Sequence, residues 1–339
     1  MNGRGRGLLV VLLLALPVLG LLYLVLAQET PGFGELWRLA CGTANPDDAA
    51  IDGYVFTDIR LPRLLVAAFG GAALALAGAV MQACFRNPLA SPDLVGTAAG
   101  AAFGGALAIV FAVAGVAVLV VPAASLVGAV AVTSLVFVLA GSHGRWSVAG
   151  LLLAGVAMNT LVGALTSFVV TFSFSNYTAS SQVLFWLMGG LEARTWEHAA
   201  ITGGGFVLFG AFVVPRARQL DLLTLRDDSA HSLGLDAPRA RRMLLWFACG
   251  LTATTVSNTG GIAFLGLVVP HLARLLVGPS HAVLLPASAL LGALLLVGSD
   301  FVCRLAPPDA NLRLGVVTAI LGAPYFLFLL AKHRRGEAL

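Results

Sequence analysis

The side chains able to carry chemistry in this chain are few and widely spaced. His271 and Arg274 stand three residues apart, the nearest approach to a base beside an anion holder. Nothing completes them: no H-E-x-x-H helix, G-x-S-x-G elbow or paired carboxylates accompany the pair. The only lysine is Lys332, so a phosphate loop of the G-x-x-x-x-G-K type is excluded. If ATP drives a process here, another polypeptide hydrolyses it. Cys41, Cys84, Cys249 and Cys303 form no C-x-x-C pair and read as small buried hydrophobes, with no disulfide framework or metal site implied. The chain is read as a non-enzyme with no cofactor of its own.

The elements that must position these few groups are apolar. Of 339 residues, 59% are hydrophobic and 11% charged, against roughly 25% charged in soluble domains. A bilayer is the solvent such a chain requires. The net charge of +4 is then a topology signal, and no nucleic-acid partner is expected. Arg4 and Arg6 precede an apolar run from Leu8 to Ala27. Its length fits a full span better than a signal core, so an uncleaved first helix is expected. Runs between polar breaks place ten transmembrane helices near 8–27, 61–84, 94–112, 115–140, 148–172, 198–214, 241–259, 262–277, 283–303 and 313–331. Paired and clustered glycines such as Gly70-Gly71, Gly104-Gly105 and Gly203-Gly204-Gly205 predict a tight bundle. An internal echo links the second and seventh spans. One is followed by Asn87-Pro88, the other by Gly260-Gly261 ahead of Pro270-His271, which suggests two similar halves.

With the N-terminus inside, fourteen of the twenty basic residues face the cytoplasm and six face out. The positive-inside bias therefore puts both termini in the cytoplasm. The same orientation puts the charged stretch from Pro215 to Arg242 inside. Leu220, Leu222, Leu223, Leu225, Leu233 and Leu235 interleave with its charges, and Gly234 marks a helix end. Short helices with apolar anchors suit docking on a soluble partner. Within the spans, Asp300 and Arg304 are spaced to pair with each other. Asn159, Gln82, Thr166 and His271 serve either as bonds between helices or as substrate contacts. The turn from Phe85 to Pro92, with two prolines four apart, is either a gate at the inner mouth or a plain connection. Phe172, Phe174, Tyr177, Phe185, Trp186 and Met188 form either an interfacial belt or a resting place for a flat ligand near the outer mouth.

Several long motifs, in order, resemble the FecCD-type permeases, the membrane subunits of importers for iron-siderophores, haem and cobalamin. They are Arg60-Leu61-Pro62-Arg63, the run from Gly71 to Gln82, Arg86-Asn87-Pro88-Leu89-Ala90, the run from Gly261 to His271, and the run from Gly315 to Pro324. The likeness runs from about residue 55 to the C-terminus. It implies an all-α membrane protein, a bundle of ten transmembrane helices like a type II ABC importer permease. The whole of 1–339 would be a single permease domain with 215–242 as a cytoplasmic coupling loop. The partners implied are a second copy of the chain, two ATPase subunits that bind the ATP and magnesium, and a periplasmic substrate-binding protein. The location implied is the bacterial inner membrane.

The resemblance also implies site residues. The ATPase-coupling segment matches Arg226, Asp227, Asp228, Ser229, Ala230, His231, Leu233 and Gly234, with Arg226 and Asp227 departing from the usual glycine and glutamate. Outer-face arginines that hold a binding protein's carboxylates match Arg60, Arg63 and Arg304. Cytoplasmic gate positions match Asn87 and Leu89, and a second gate matches Val148 and Ala149, where a cobalamin carrier would have small hydroxyl residues. Asn159, Thr166 and Phe168 on the fifth helix, together with the tenth helix, would line the path. Asn311-Leu312-Arg313-Leu314 departs from the usual Glu-Leu-Pro and adds a positive charge at the outer mouth. The expected cargo is a ferric siderophore or haem, with cobalamin or a molybdate-type oxyanion as alternatives. An ion-coupled secondary carrier is the rival from another class.

Overall fold

The computed structural model describes residues 3–26, 53–111, 118–141, 147–173, 177–307 and 310–334. Arg38, Cys41, Arg145 and Phe174 lie outside the described residues, as does the segment around Gln28 that bears on cleavage of the first helix. The described chain is helical throughout. In order come α1 (Gly3–Val25), α2 (Leu61–Phe85), α3 (Thr97–Phe111), α4 (Val120–Ala140), α5 (Val148–Ser173), α6 (Tyr177–Leu187) and α7 (Trp196–Val213). Then follow α8 (Ala217–Leu223), α9 (Asp227–Ser232), α10 (Ala237–Thr259), α11 (Leu265–Val277), α12 (His281–Leu305) and α13 (Leu314–Arg334). Each of the ten expected spans has its helix, and α6, α8 and α9 are short additions.

Two of the ten are too short to cross a bilayer. The sequence predicts full spans at 94–112 and 262–277, but α3 has 15 residues and α11 has 13. At 1.5 Å per residue they reach about 20 Å, short of a hydrocarbon core near 30 Å. Each is entered by non-helical chain inside the bundle. Before α3, Pro92–Val95 makes one 3-10 turn. A side chain at Gly155, two turns into α5, would overlap the Leu94 carbonyl, which fixes the depth of that turn. Before α11, the chain from Gly260 to Ala263 is non-helical and Phe264 turns left-handed at φ 64°.

These broken helices occupy equivalent places in two halves. Helices α2 to α5 correspond to α10 to α13. The lead helices α2 and α10 pack on each other at the centre, α3 and α4 lie against α10, and α11 and α12 lie against α2. Four spans lie between α2 and α10, so the halves run in opposite directions through the membrane. The echo between the second and seventh spans is thus a real structural repeat.

Helix α2 is the axle, buried along nearly its whole length from Val66 to Phe85. Its glycines admit neighbouring backbone. A Cβ at Gly71 would overlap the Gly292 carbonyl of α12, and one at Gly78 would overlap the Gly266 carbonyl of α11. Apolar side chains gain little from meeting each other in lipid, so this close van der Waals approach is what holds such helices together. By contrast α1 turns Val10, Val11, Leu13 and Leu14 outward and buries Tyr23 completely, as a peripheral span should. Replacing Gly78 with valine is expected to cost about 3 kcal/mol and to abolish a monodisperse peak in detergent size-exclusion chromatography. Gly163→Ala, where nothing lies within 4 Å of the new methyl, is expected to leave that peak unchanged.

Candidate functional site

Three groups of residues stand out. The first surrounds a cavity of about 800 Å³. Its wall is built by both helix breaks, through Pro92 and Asp93 and through Gly261 to Phe264, and by Val316, Ala319 and Ile320 of α13. The lining is apolar apart from Ser91 and Asp93. Of the residues expected to line a path, those of the tenth helix border this cavity, and Asn159, Thr166 and Phe168 of α5 do not. The Asn159 amide donates to the Asp93 carbonyl at 2.8 Å and pins the 3-10 turn. Thr166 is buried and returns its hydroxyl to the Val162 carbonyl at 2.8 Å. Phe168 is 69% exposed and faces away from the bundle of its own chain. Asp93 was not anticipated; its signal is an acid following a proline between two apolar spans.

The second group lies at the C-terminal end of α2. Arg86 closes that helix in a left-handed conformation. Its Nε donates to the Leu223 carbonyl at 2.8 Å and its Nη2 meets the Asp227 carboxylate. Arg241 of α10 donates to the same carboxylate oxygen at 2.9 Å. The bond from Arg241, joined by that from Arg86, holds the Asp227 carboxyl below the usual carboxylate range. A second clasp joins α8 to the start of α12, where the Asp221 carboxylate accepts from the His281 backbone N–H at 2.9 Å and lies 2.6 Å from its Nδ1. These clasps leave one side of the segment free. Leu225 is 42% and Leu233 60% exposed, beside exposed Arg226, Asp228, Ser229 and His231. Ala230 is buried, and Gly234 ends α9 at φ 84°. Asn87 is exposed beside this clasp, its Oδ1 accepting from the Leu89 backbone N–H at 2.9 Å. Val148 and Ala149 open α5.

The third group, at the opposite end, departs from expectation. Asp300 pairs with Arg63, not with Arg304. Arg63 clasps it through Nε and Nη2 at 2.8 and 2.7 Å, and the Tyr23 hydroxyl donates to it at 2.6 Å. Arg304 lies over the Tyr23 ring, 4.7 Å from its centre. Arg60 is buried and donates to the Leu24 carbonyl. Two of the three arginines expected to meet a partner are thus spent tying α1, α2 and α12 together. The physical reason is that a buried carboxylate needs a full set of donors. Arg313 bonds Glu192 at 3.1 Å and stacks on Phe185, which binds the start of α13 to the loop after α6.

A family model described as the FecCD transport family matches residues 12–332. The chain is 42% identical to the cobalamin import system permease protein BtuC of Halobacterium salinarum over 83% of this chain and 74% of that protein. It is 41% identical to the Fe(3+) dicitrate transport system permease protein FecD of Escherichia coli over 83% and 86%. It is 36% identical to the hemin transport system permease protein HmuU of Yersinia pestis over the whole of both chains. A solved inward-facing transporter of metal-chelate type superposes with a TM-score of 0.85 at 31% identity, covering 96% of this chain and 99% of that one.

Two outcomes follow from the clasps. Asp300→Ala strands Arg63 and is expected to cost about 3–5 kcal/mol, read as a lowered Tm in detergent, whereas the pair Arg63→Met with Asp300→Leu costs less. The depressed Asp227 carboxyl adds stability that is complete above the ordinary carboxylate pKa and is lost as pH falls through its lowered value. Hydrogen-exchange protection of α9 should therefore hold from pH 7 to about 5 and fall below about pH 4. Asp227→Asn should show low protection throughout.

Proposed function

The chain belongs to the FecCD transport family, and as an ABC-importer permease of that family we propose that it carries a ferric siderophore or haem. The observation that carries this reading is the apolar cavity walled by the two helix breaks and α13. Non-helical backbone is tolerated at membrane depth where it is packed in protein or lines such a space, and a cavity of this size suits a bulky, weakly charged chelate. Relatives named for cobalamin, haemin, ferric dicitrate and molybdate differ in cargo, so the cargo assay includes cobalamin and molybdate.

Two copies of the chain would enclose the pathway. Two ATPase subunits would grip the exposed leucines and charges of the segment from Leu225 to Gly234, while Asp227, turned inward, ties that segment to α2. Asn87 and Leu89, with Val148 and Ala149, would form the inner gate. A periplasmic binding protein would meet the opposite face, where Arg304 is the docking arginine that remains once Arg60 and Arg63 are committed inside the bundle. On this reading the protein would sit in a bacterial inner membrane with both termini in the cytoplasm. The fourteen inner basic residues support that orientation.

Uptake into proteoliposomes tests the proposal. Radiolabelled ferric siderophore or haem should enter only when the ATPase, the binding protein and ATP are all present. Uptake by this chain alone on a proton or sodium gradient would establish the secondary-carrier reading instead. Leu225→Asp with Leu233→Asp should cut ATP-driven uptake by more than about tenfold, because charged residues disfavour an apolar contact core. The melting temperature should stay within about 2 °C of the parent, since surface substitutions change stability little.

A further inference from the structure

We infer that Asp93 is the cargo-contacting group of the pathway, and that it selects chelates which present a positive charge or hydrogen-bond donors. The inference rests on the reading of this chain as a chelate permease and deepens it. Asp93 is the one charged residue in the wall of the 800 Å³ cavity, and its side chain is exposed there. An ionisable group at membrane depth is costly and is kept where it pairs or where it meets a passing substrate. Asp93 has no cation beside it: among the described residues every ion pair lies elsewhere. Two basic residues at the inner ends of the same helices are committed to other acceptors. Arg86 is held by Leu223 and Asp227, and Arg274 donates to the Gln82 side chain at 3.0 Å. Among the described residues the one side-chain donor to the carboxylate is the Ser91 hydroxyl, at a long 3.4 Å.

The turn that presents this carboxylate is rigid. Leu94 N–H donates to the Ser91 carbonyl at 3.2 Å, Gly96 N–H to the Asp93 carbonyl at 3.3 Å, and Asn159 to that same carbonyl at 2.8 Å. Pro92 packs against Gly266 of α11. A fixed acceptor in an apolar wall binds a matching donor without ordering cost. It also leaves an anionic ligand with an unpaired like charge, which is how a site rejects the wrong partner. A purely local role, an acid in the first turn of a four-residue 3-10 helix, would be served equally by asparagine. That difference makes the idea testable.

The experiment uses the purified permease–ATPase complex in nanodiscs without a binding protein, so that the pathway alone discriminates. Equilibrium dialysis measures binding of a ferric trihydroxamate bearing a free ammonium group and, separately, of ferric citrate. The parent complex should prefer the cationic chelate. Asp93→Asn should lose about tenfold for the cationic chelate and leave ferric citrate unchanged or tighter, and Asp93→Glu should restore the preference. Equal binding of both chelates by parent and Asn variant, or equal loss of both, overturns the inference while leaving the permease reading intact. Binding of neither chelate by a parent complex that imports cobalamin or molybdate overturns the cargo class itself, and this inference with it. Size-exclusion profiles confirm that each variant is assembled.

Discussion

Backbone that leaves the helix inside a bilayer must find its hydrogen bonds in the protein or in the space it lines. That constraint organises this molecule. Both breaks meet it with specific partners. The 3-10 turn is closed by bonds from Leu94 to Ser91 and from Gly96 to Asp93, and Asn159 of α5 reaches over to secure it. At the second break the Gly260 N–H donates to the Val256 carbonyl at 2.9 Å, the Thr259 hydroxyl to the Gly260 carbonyl at 3.1 Å, and the Val268 N–H to the Phe264 carbonyl at 2.8 Å. Two half-length helices can therefore begin inside the bundle, and the space between them is the cavity. A continuous ten-helix barrel of full spans would have no such wall.

The repeat explains why so few residues suffice. Each half supplies one long axle helix, one break and one short helix. Glycines allow neighbouring helices backbone contact: Gly71 of α2 on Gly292 of α12, Gly78 of α2 on Gly266 of α11, and Gly100 of α3 on Gly128 of α4. Dispersion at these contacts replaces the hydrophobic drive that lipid removes. The surfaces outside the core are then free to specialise. At the inner end, Asp227, Arg86 and Arg241 join the exposed segment of α9 directly to the end of α2. The 3-10 turn that carries Asp93 begins six residues after Arg86. The exposed leucines and the cavity wall are thus connected through one short, hydrogen-bonded stretch. At the opposite end, the buried carboxylate of Asp300 gathers Tyr23 and Arg63, so that α1, α2 and α12 are fastened together.

Much of this was legible in the residues. Ten apolar runs, the missing lysine, the basic bias and the ordered motifs from Arg60 to Pro324 were sufficient for fold class and family, because apolar length and charge placement act locally along the chain. Gly234 was readable as a helix end for the same reason: its left-handed φ is a property of one residue. Site assignments were less legible. The family resemblance implied that Arg60 and Arg63 meet a partner, yet Asp300, 237 residues from Arg63, pairs with one of them inside the bundle. Thr166 reads as a polar wall residue, but rotation about the helix axis turns it inward. Asp93 carries no pattern of its own; it matters because a turn and a cavity meet there and, among the described residues, no cation pairs with it.

What the sequence by itself determined is the solvent, the helical bundle class and the family, all consequences of composition and short-range order. Tertiary structure alone decided that two crossings are half-length, which arginines are consumed inside, and where the single unpaired carboxylate of the cavity sits. The reason is that these depend on which backbones come within contact distance. That distance is set by glycines facing each other from residues hundreds of positions apart, as Gly71 and Gly292 do.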